Sequence, residues 1–141
     1  MKQSFDVVVE AGPDRVHPWV SDLARYPDWM PLVHSVEVLD ERTWSVELRA
    51  KVGIFARSKR LTMRRTVDDG VRIVFERDEP DGRSHSPWTM TVVTEPNGTG
   101  SRVEVVLEYG GSLWTAGVLD RILAAQVEAG KRGLSRVVQG A

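Results

Sequence analysis

Cysteine is absent from this chain of 141 residues. Its absence excludes disulfides, thiolate nucleophiles and cysteine-ligated zinc, and fits a reducing compartment. Net charge is scarce as well. The 19 Lys and Arg residues against 20 Asp and Glu leave a formal charge of −1, so no overall field draws in nucleic acid. No apolar run approaches the roughly 20 residues that span a bilayer. The N-terminus opens on a strand pattern, without the apolar core of a signal peptide. Histidine is limited to His17, His34 and His85, which show no metal-ligand spacing. There is no Ser-His-Asp order, phosphate loop or Rossmann glycine pattern, so neither metal nor cofactor is predicted. What is present is ordinary: 41% hydrophobic and 28% charged residues are the proportions of a globular protein. The expectation is one cytoplasmic domain over residues 1–141.

Alternation carries most of the chain. Phe5, Val7 and Val9 alternate with Asp6 and Glu10, the pattern of a half-buried strand. Gly12-Pro13 then opens a short helix with Val16, Trp19, Val20 and Leu23 on one side, although Pro18 inside it should kink the turn or delay the start to Val16. Tyr26-Pro27-Asp28-Trp29-Met30-Pro31 brackets one more turn of helix. From Val33 to Tyr109 six strands follow, separated at Asp40-Glu41-Arg42, Gly53, Asp68-Asp69-Gly70, Pro80-Asp81-Gly82 and Asn97-Gly98. Such short links imply antiparallel neighbours with one wet face. The inward set is Trp44, Leu48, Leu61, Met63, Phe75, Trp88, Met90, Leu107 and Tyr109.

That face needs a lid, and the last thirty residues can supply it. Between Ser112, a candidate N-cap, and Gly140, a candidate stop, Val118, Leu119, Ile122, Leu123, Val127, Leu134 and Val137 gather on one half of a helical wheel. Gln126 interrupts the apolar stripe, flanked on that face by Gly130 and Gly133. An interior glycine costs a helix about 1 kcal/mol relative to alanine. The pair therefore marks either close approach of neighbouring backbone or room for a guest that Gln126 addresses. The fold class predicted is α+β: a curved, antiparallel, seven-stranded sheet wrapped around a long C-terminal helix, with two short helices after the first strand.

That order resembles the helix-grip fold of the START/SRPBCC superfamily over nearly the whole chain. Gly12-Pro13, the run Asp22-Leu23-Ala24-Arg25-Tyr26-Pro27, and then Trp29 and Pro31 are similar to the first-helix motif of its polyketide cyclase/dehydrase branch. The resemblance implies an internal pocket between sheet and helix for a polyketide, aromatic or isoprenoid-like molecule. It also implies two rival activities, cyclisation or dehydration of that guest or non-catalytic lipid or quinone transfer; use of the fold as a protein-interaction module is a third reading. By analogy with the aromatase/cyclases, Arg65, five residues before Gly70, would point into the pocket and hold a developing enolate. Val33 stands where those enzymes carry a pocket tyrosine, and Tyr109 is the candidate replacement donor. Trp29, Met63, Phe75, Trp88, Met90, Gln126 and Gly130 complete the expected ligand-binding set. Outside the pocket, the basic hairpin from Lys51 to Arg60, with Ile54 and Phe55 near its tip, is either a solvated turn or a lip that meets an anionic membrane or carrier protein.

Overall fold

A computed structural model describes residues 2–52, 54–110 and 116–140, apart from the side chains at 52, 55, 116–123 and 127. Strands β1 (Lys2–Val9), β2 (Val33–Asp40), β3 (Thr43–Val52), β4 (Phe55–Asp68), β5 (Arg72–Arg77), β6 (Trp88–Asn97) and β7 (Gly100–Tyr109) form one sheet, ordered β1-β7-β6-β5-β4-β3-β2. Every pairing is antiparallel. The sheet stays open, with β1 and β2 as its edges. Helix α1 (Pro13–Ser21) and a 3-10 helix (Leu23–Asp28) follow β1, and α2 (Ala116–Gln139) ends the chain. Because the sheet is curved, α2 lies against both β1 and β3. This is the helix-grip arrangement expected from the sequence. Among the described residues no helix is long and apolar enough to cross a membrane.

Several local expectations are met for visible reasons. Gly70, Gly82 and Gly98 sit at positive φ in the turns between strands, where a Cβ would be strained. Pro13 occupies the first turn of α1, and Pro18 lies within it. The carbonyl that Pro18 leaves unbonded is that of Asp14, on the exposed side where water satisfies it, so the helix runs through. Strand β4 is longer than predicted, starting at Phe55, which pairs with Val52. The predicted break at Gly53, the Ser112 cap, Trp114 and the side chains of Val118, Leu119, Ile122, Leu123 and Val127 lie outside the described residues.

The last third of α2 is fastened down. Leu134 and Val138 are buried and Val137 only partly, so the buried stripe ends one residue later than the wheel suggested. Arg15 Nη2 donates to Val138 O at 2.7 Å, Arg136 Nη2 to Asp28 O at 3.1 Å, and Glu10 N to Gln139 Oε1 at 2.8 Å. Gly133 is the closest point. A Cβ there would collide with the Trp29 carbonyl oxygen, which settles that glycine as close backbone approach. Gly130 is different: a Cβ there would meet only Phe5 Cζ, at 3.9 Å. Thus α2 is pinned at its C-terminal end, and its middle, around Gln126, spans the sheet.

Candidate ligand-binding site

Beneath the middle of α2 the sheet and helix leave space. One compartment is lined by Leu23, Met30, Leu32, Val33, Val46, Leu48, Leu61, Met63, Trp88, Met90 and Leu107. A second, towards β1, is lined by Gln3, Phe5, Met30, Leu32, Met90, Val105, Leu107 and Gln126. Met30, Leu32, Met90 and Leu107 border both. The cavity volume is about 50 Å³ for the first compartment and about 40 Å³ for the second. Apolar voids of this kind stay dry and accept apolar guests. The wall follows from strand alternation: Trp44, Val46 and Leu48 on β3, Leu61 and Met63 on β4, and Trp88, Met90 and Val92 on β6 are all buried.

Most of the wall is apolar, and among the described residues its polar groups are Gln3, Gln126 and the Trp88 indole N–H. Among the described residues three buried side-chain polar atoms have no hydrogen-bond partner: Trp88 Nε1, Gln126 Oε1 and Thr94 Oγ1. Trp88 and Gln126 line the space; Thr94 does not. Gln126 also borders a wider, more polar opening on the far side, lined with it by His34, Arg49, Ala50, Lys51 and Ala125.

Other expected site residues serve the fold. Arg65 is on the predicted face, paired in register with Phe75, but it does not line the space and it is not unpaired. Its Nη1 donates to Ser21 O at 2.8 Å, and its guanidinium lies 5.7 Å from the centre of the Trp44 ring. The reason is the end of α1, whose last carbonyl comes within reach and takes the arginine as a cap. Trp29 and Phe75, expected to border the pocket, are wholly enclosed. Trp29 packs at a tilt against Tyr26, ring centres 4.6 Å apart, and donates Nε1 to Trp19 O at 3.1 Å, and Phe75 meets Tyr26 and Trp44 edge-on. Tyr109 is buried against Trp88, with ring centres 5.2 Å apart, and also falls outside the lining. Gly130 faces Phe5, itself a lining residue. Met63, Trp88, Met90 and Gln126 are the expected residues that the fold brings together. Met30 and Leu32 were missed because they sit in the irregular link after the 3-10 helix, where no periodicity marks a face.

Glu79, Lys59, His85, Asp68 and Asp69 line neither compartment. Glu79 is held by Arg77 Nε at 2.9 Å and by the Thr62 N–H at 2.9 Å. Burial pushes its carboxyl up, but the Thr62 and Arg77 bonds outweigh this and leave it below the ordinary value. Lys59 is lowered, chiefly by burial and then by the Arg77 charge. His85 lies exposed in the loop after β5 and bonds Asp81 through Nε2 at 2.9 Å. Asp68 and Asp69 do act as turn acceptors, for Gly70 N and for Val71 and Arg72 N respectively. Asp68 also meets His17 Nε2 at 3.0 Å.

An open, bent sheet gripping a long helix over an apolar space defines the helix-grip, START-like class of ligand-binding folds. Within it, the chain belongs to the polyketide cyclase / dehydrase and lipid transport family, matching that family over residues 9–131. Solved structures share the fold at low sequence identity. A START superfamily protein from Mycobacterium smegmatis has a TM-score of 0.75 at 16% identity, covering 99% of this chain and 97% of that one. A protein from Thermus thermophilus has a TM-score of 0.75 at 22% identity, covering 99% and 98%. The Zhui aromatase/cyclase from a Streptomyces species has a TM-score of 0.71 at 17% identity, covering 99% and 93%. No curated protein sequence matches the chain.

Proposed function

We propose that this protein holds a hydrophobic small molecule of polyketide, aromatic or isoprenoid character between the sheet and α2, and carries it without altering it. The observation behind this reading is the pair of orphaned polar atoms, Trp88 Nε1 and Gln126 Oε1, on residues of a wall whose other described members, Gln3 apart, are apolar. Leaving a buried donor or acceptor unpaired costs about 1–3 kcal/mol. A guest with an acceptor for Trp88 and a donor for Gln126 would relieve both; a turned Gln126 amide would present Nε2–H instead. Carriage is favoured over cyclisation because the described lining residues include no titratable side chain, and Arg65 is engaged with Ser21 and Trp44. In this reading the Lys51 to Arg60 hairpin is the delivery surface, with Ile54 93% exposed near its tip.

The test is titration with 1-decanol and 1-naphthol, followed by tryptophan emission. Both should bind saturably, and Leu107→Trp, which fills the space shared by the two compartments, should abolish binding while the fold persists by circular dichroism. Failure of either probe to saturate, or undiminished binding by Leu107→Trp, would overturn the reading.

A further inference from the structure

The opening beyond Gln126 has a charge character that the interior lacks. His34, Arg49 and Lys51 line it together with Ala50, Ala125 and Gln126, and none of these described lining residues is acidic. It is more open to solvent than either interior compartment. The side chains of His34, Arg49 and Lys51 are exposed and make no hydrogen bond or ion pair among the described residues. Two arginines elsewhere do meet a carboxylate closely: Arg77 meets Glu79 and Arg102 meets Asp6. Even Glu47, next to Leu48 on the same strand, is occupied by Ser35 Oγ at 3.0 Å.

The backbone adds to this. Strand β2 pairs with β3 only as far as Leu48, and the next N–H, of Arg49, bonds Leu32 O at 3.0 Å. Alternation along a strand turns the Lys51 N–H to the same edge, where β2 is no longer present to receive it. Two cations, a histidine and a strand edge therefore surround one mouth, and among the described residues Gln126 is the one that lines both this mouth and the apolar compartment.

We propose that the guest is an acidic amphiphile: its apolar body fills the compartments under α2, its carboxylate or phosphate lies in the opening between Arg49 and Lys51, and Gln126 marks the junction. This rests on the carrier reading above and adds to it the chemical class of the ligand. Guanidinium and ammonium groups bind such anions by charge-assisted hydrogen bonds. In a half-open site their attraction is partly screened, so the preference should be about tenfold rather than thousands.

The experiment compares decanoate, decyl phosphate and 1-decanol, all as monomers at pH 8, on the wild-type chain and on Arg49→Ala/Lys51→Ala. Both residues are exposed and unpartnered, so the double variant should fold normally. Decanoate and decyl phosphate should bind roughly tenfold more tightly than 1-decanol at low salt. The advantage should fade as the screening length falls from about 30 Å at 0.01 M to 3 Å at 1 M salt. The double variant should lose the advantage and bind 1-decanol as before. Equal binding of acid and alcohol, or equal loss of all three in the variant, would overturn the proposal and leave the carrier reading standing. Failure of all three probes would overturn both. Phosphatidylglycerol vesicles form a second arm: if they bind in an Arg49- and Lys51-dependent way while the monomeric acids show no advantage, the opening is a membrane contact and the proposal falls.

Discussion

Two glycines three residues apart on α2 should respond oppositely to the same substitution. At Gly130 a Cβ would make an ordinary contact with Phe5 Cζ, at 3.9 Å. Gly130→Ala should therefore gain the helix preference of alanine, about 1 kcal/mol. At Gly133 the Cβ would strike the Trp29 carbonyl and lie 2.9 Å from its carbon and 3.0 Å from its Cα. Those are backbone atoms and cannot rotate away. Trp29 has no room to retreat, being 1% exposed, packed against Tyr26 and bonded to Trp19 O. Overpacking of this kind costs about 1–3 kcal/mol or more, and here it cannot be relieved by side-chain motion, so the upper part of the range applies. After subtracting the gain in helix preference, Gly133→Ala should be destabilised by about 1–3 kcal/mol. For a chain of this length 1 kcal/mol moves the melting temperature by about 3 °C. Thermal melts by circular dichroism should show Gly130→Ala about 3 °C above wild type and Gly133→Ala about 3–10 °C below it. Shifts of the same sign in both variants would refute the reasoning. So would a Gly133→Ala protein as stable as wild type, because α2 would then not be pinned where the geometry of the cavity requires it.

Arg65→Met should lower stability by about 1–3 kcal/mol through loss of the Ser21 bond and the Trp44 contact, while 1-decanol affinity stays unchanged; unaltered melting with lost binding would reverse the assignment. Glu79 has a folded pKa held below its unfolded value of about 4.3. Its contribution is complete above the unfolded value and is lost as pH falls through the lowered one. Between about pH 5 and pH 3 wild type should therefore lose melting temperature faster than Glu79→Gln. At pH 7 the variant should be the less stable by about 1–2 kcal/mol. Parallel curves would show that the Arg77–Glu79 pair contributes nothing.

The architecture was legible because it rests on local regularities. Alternation marked all seven strands, glycine and aspartate marked the turns, and sequential antiparallel links left one face that only a long terminal helix could cover. Met63, Trp88 and Met90 could be assigned to the interior from parity alone, since side chains on one strand alternate faces without reference to anything else. What each inward residue touches was not legible, because it depends on elements distant in sequence. Arg65 and Gln126 both looked like polar residues aimed at a guest; Ser21, brought in by α1, satisfies the first, and among the described residues none bonds the Oε1 of the second. Gly130 and Gly133 looked alike until Trp29 was placed against one of them. Lys51 read as one end of the basic hairpin and Arg49 carried no signal of its own; only the early end of β2 and the position of α2 made the two the rim of an opening. Periodicity fixes which way a side chain points; tertiary packing alone decides whether the space it points into is filled, empty or charged.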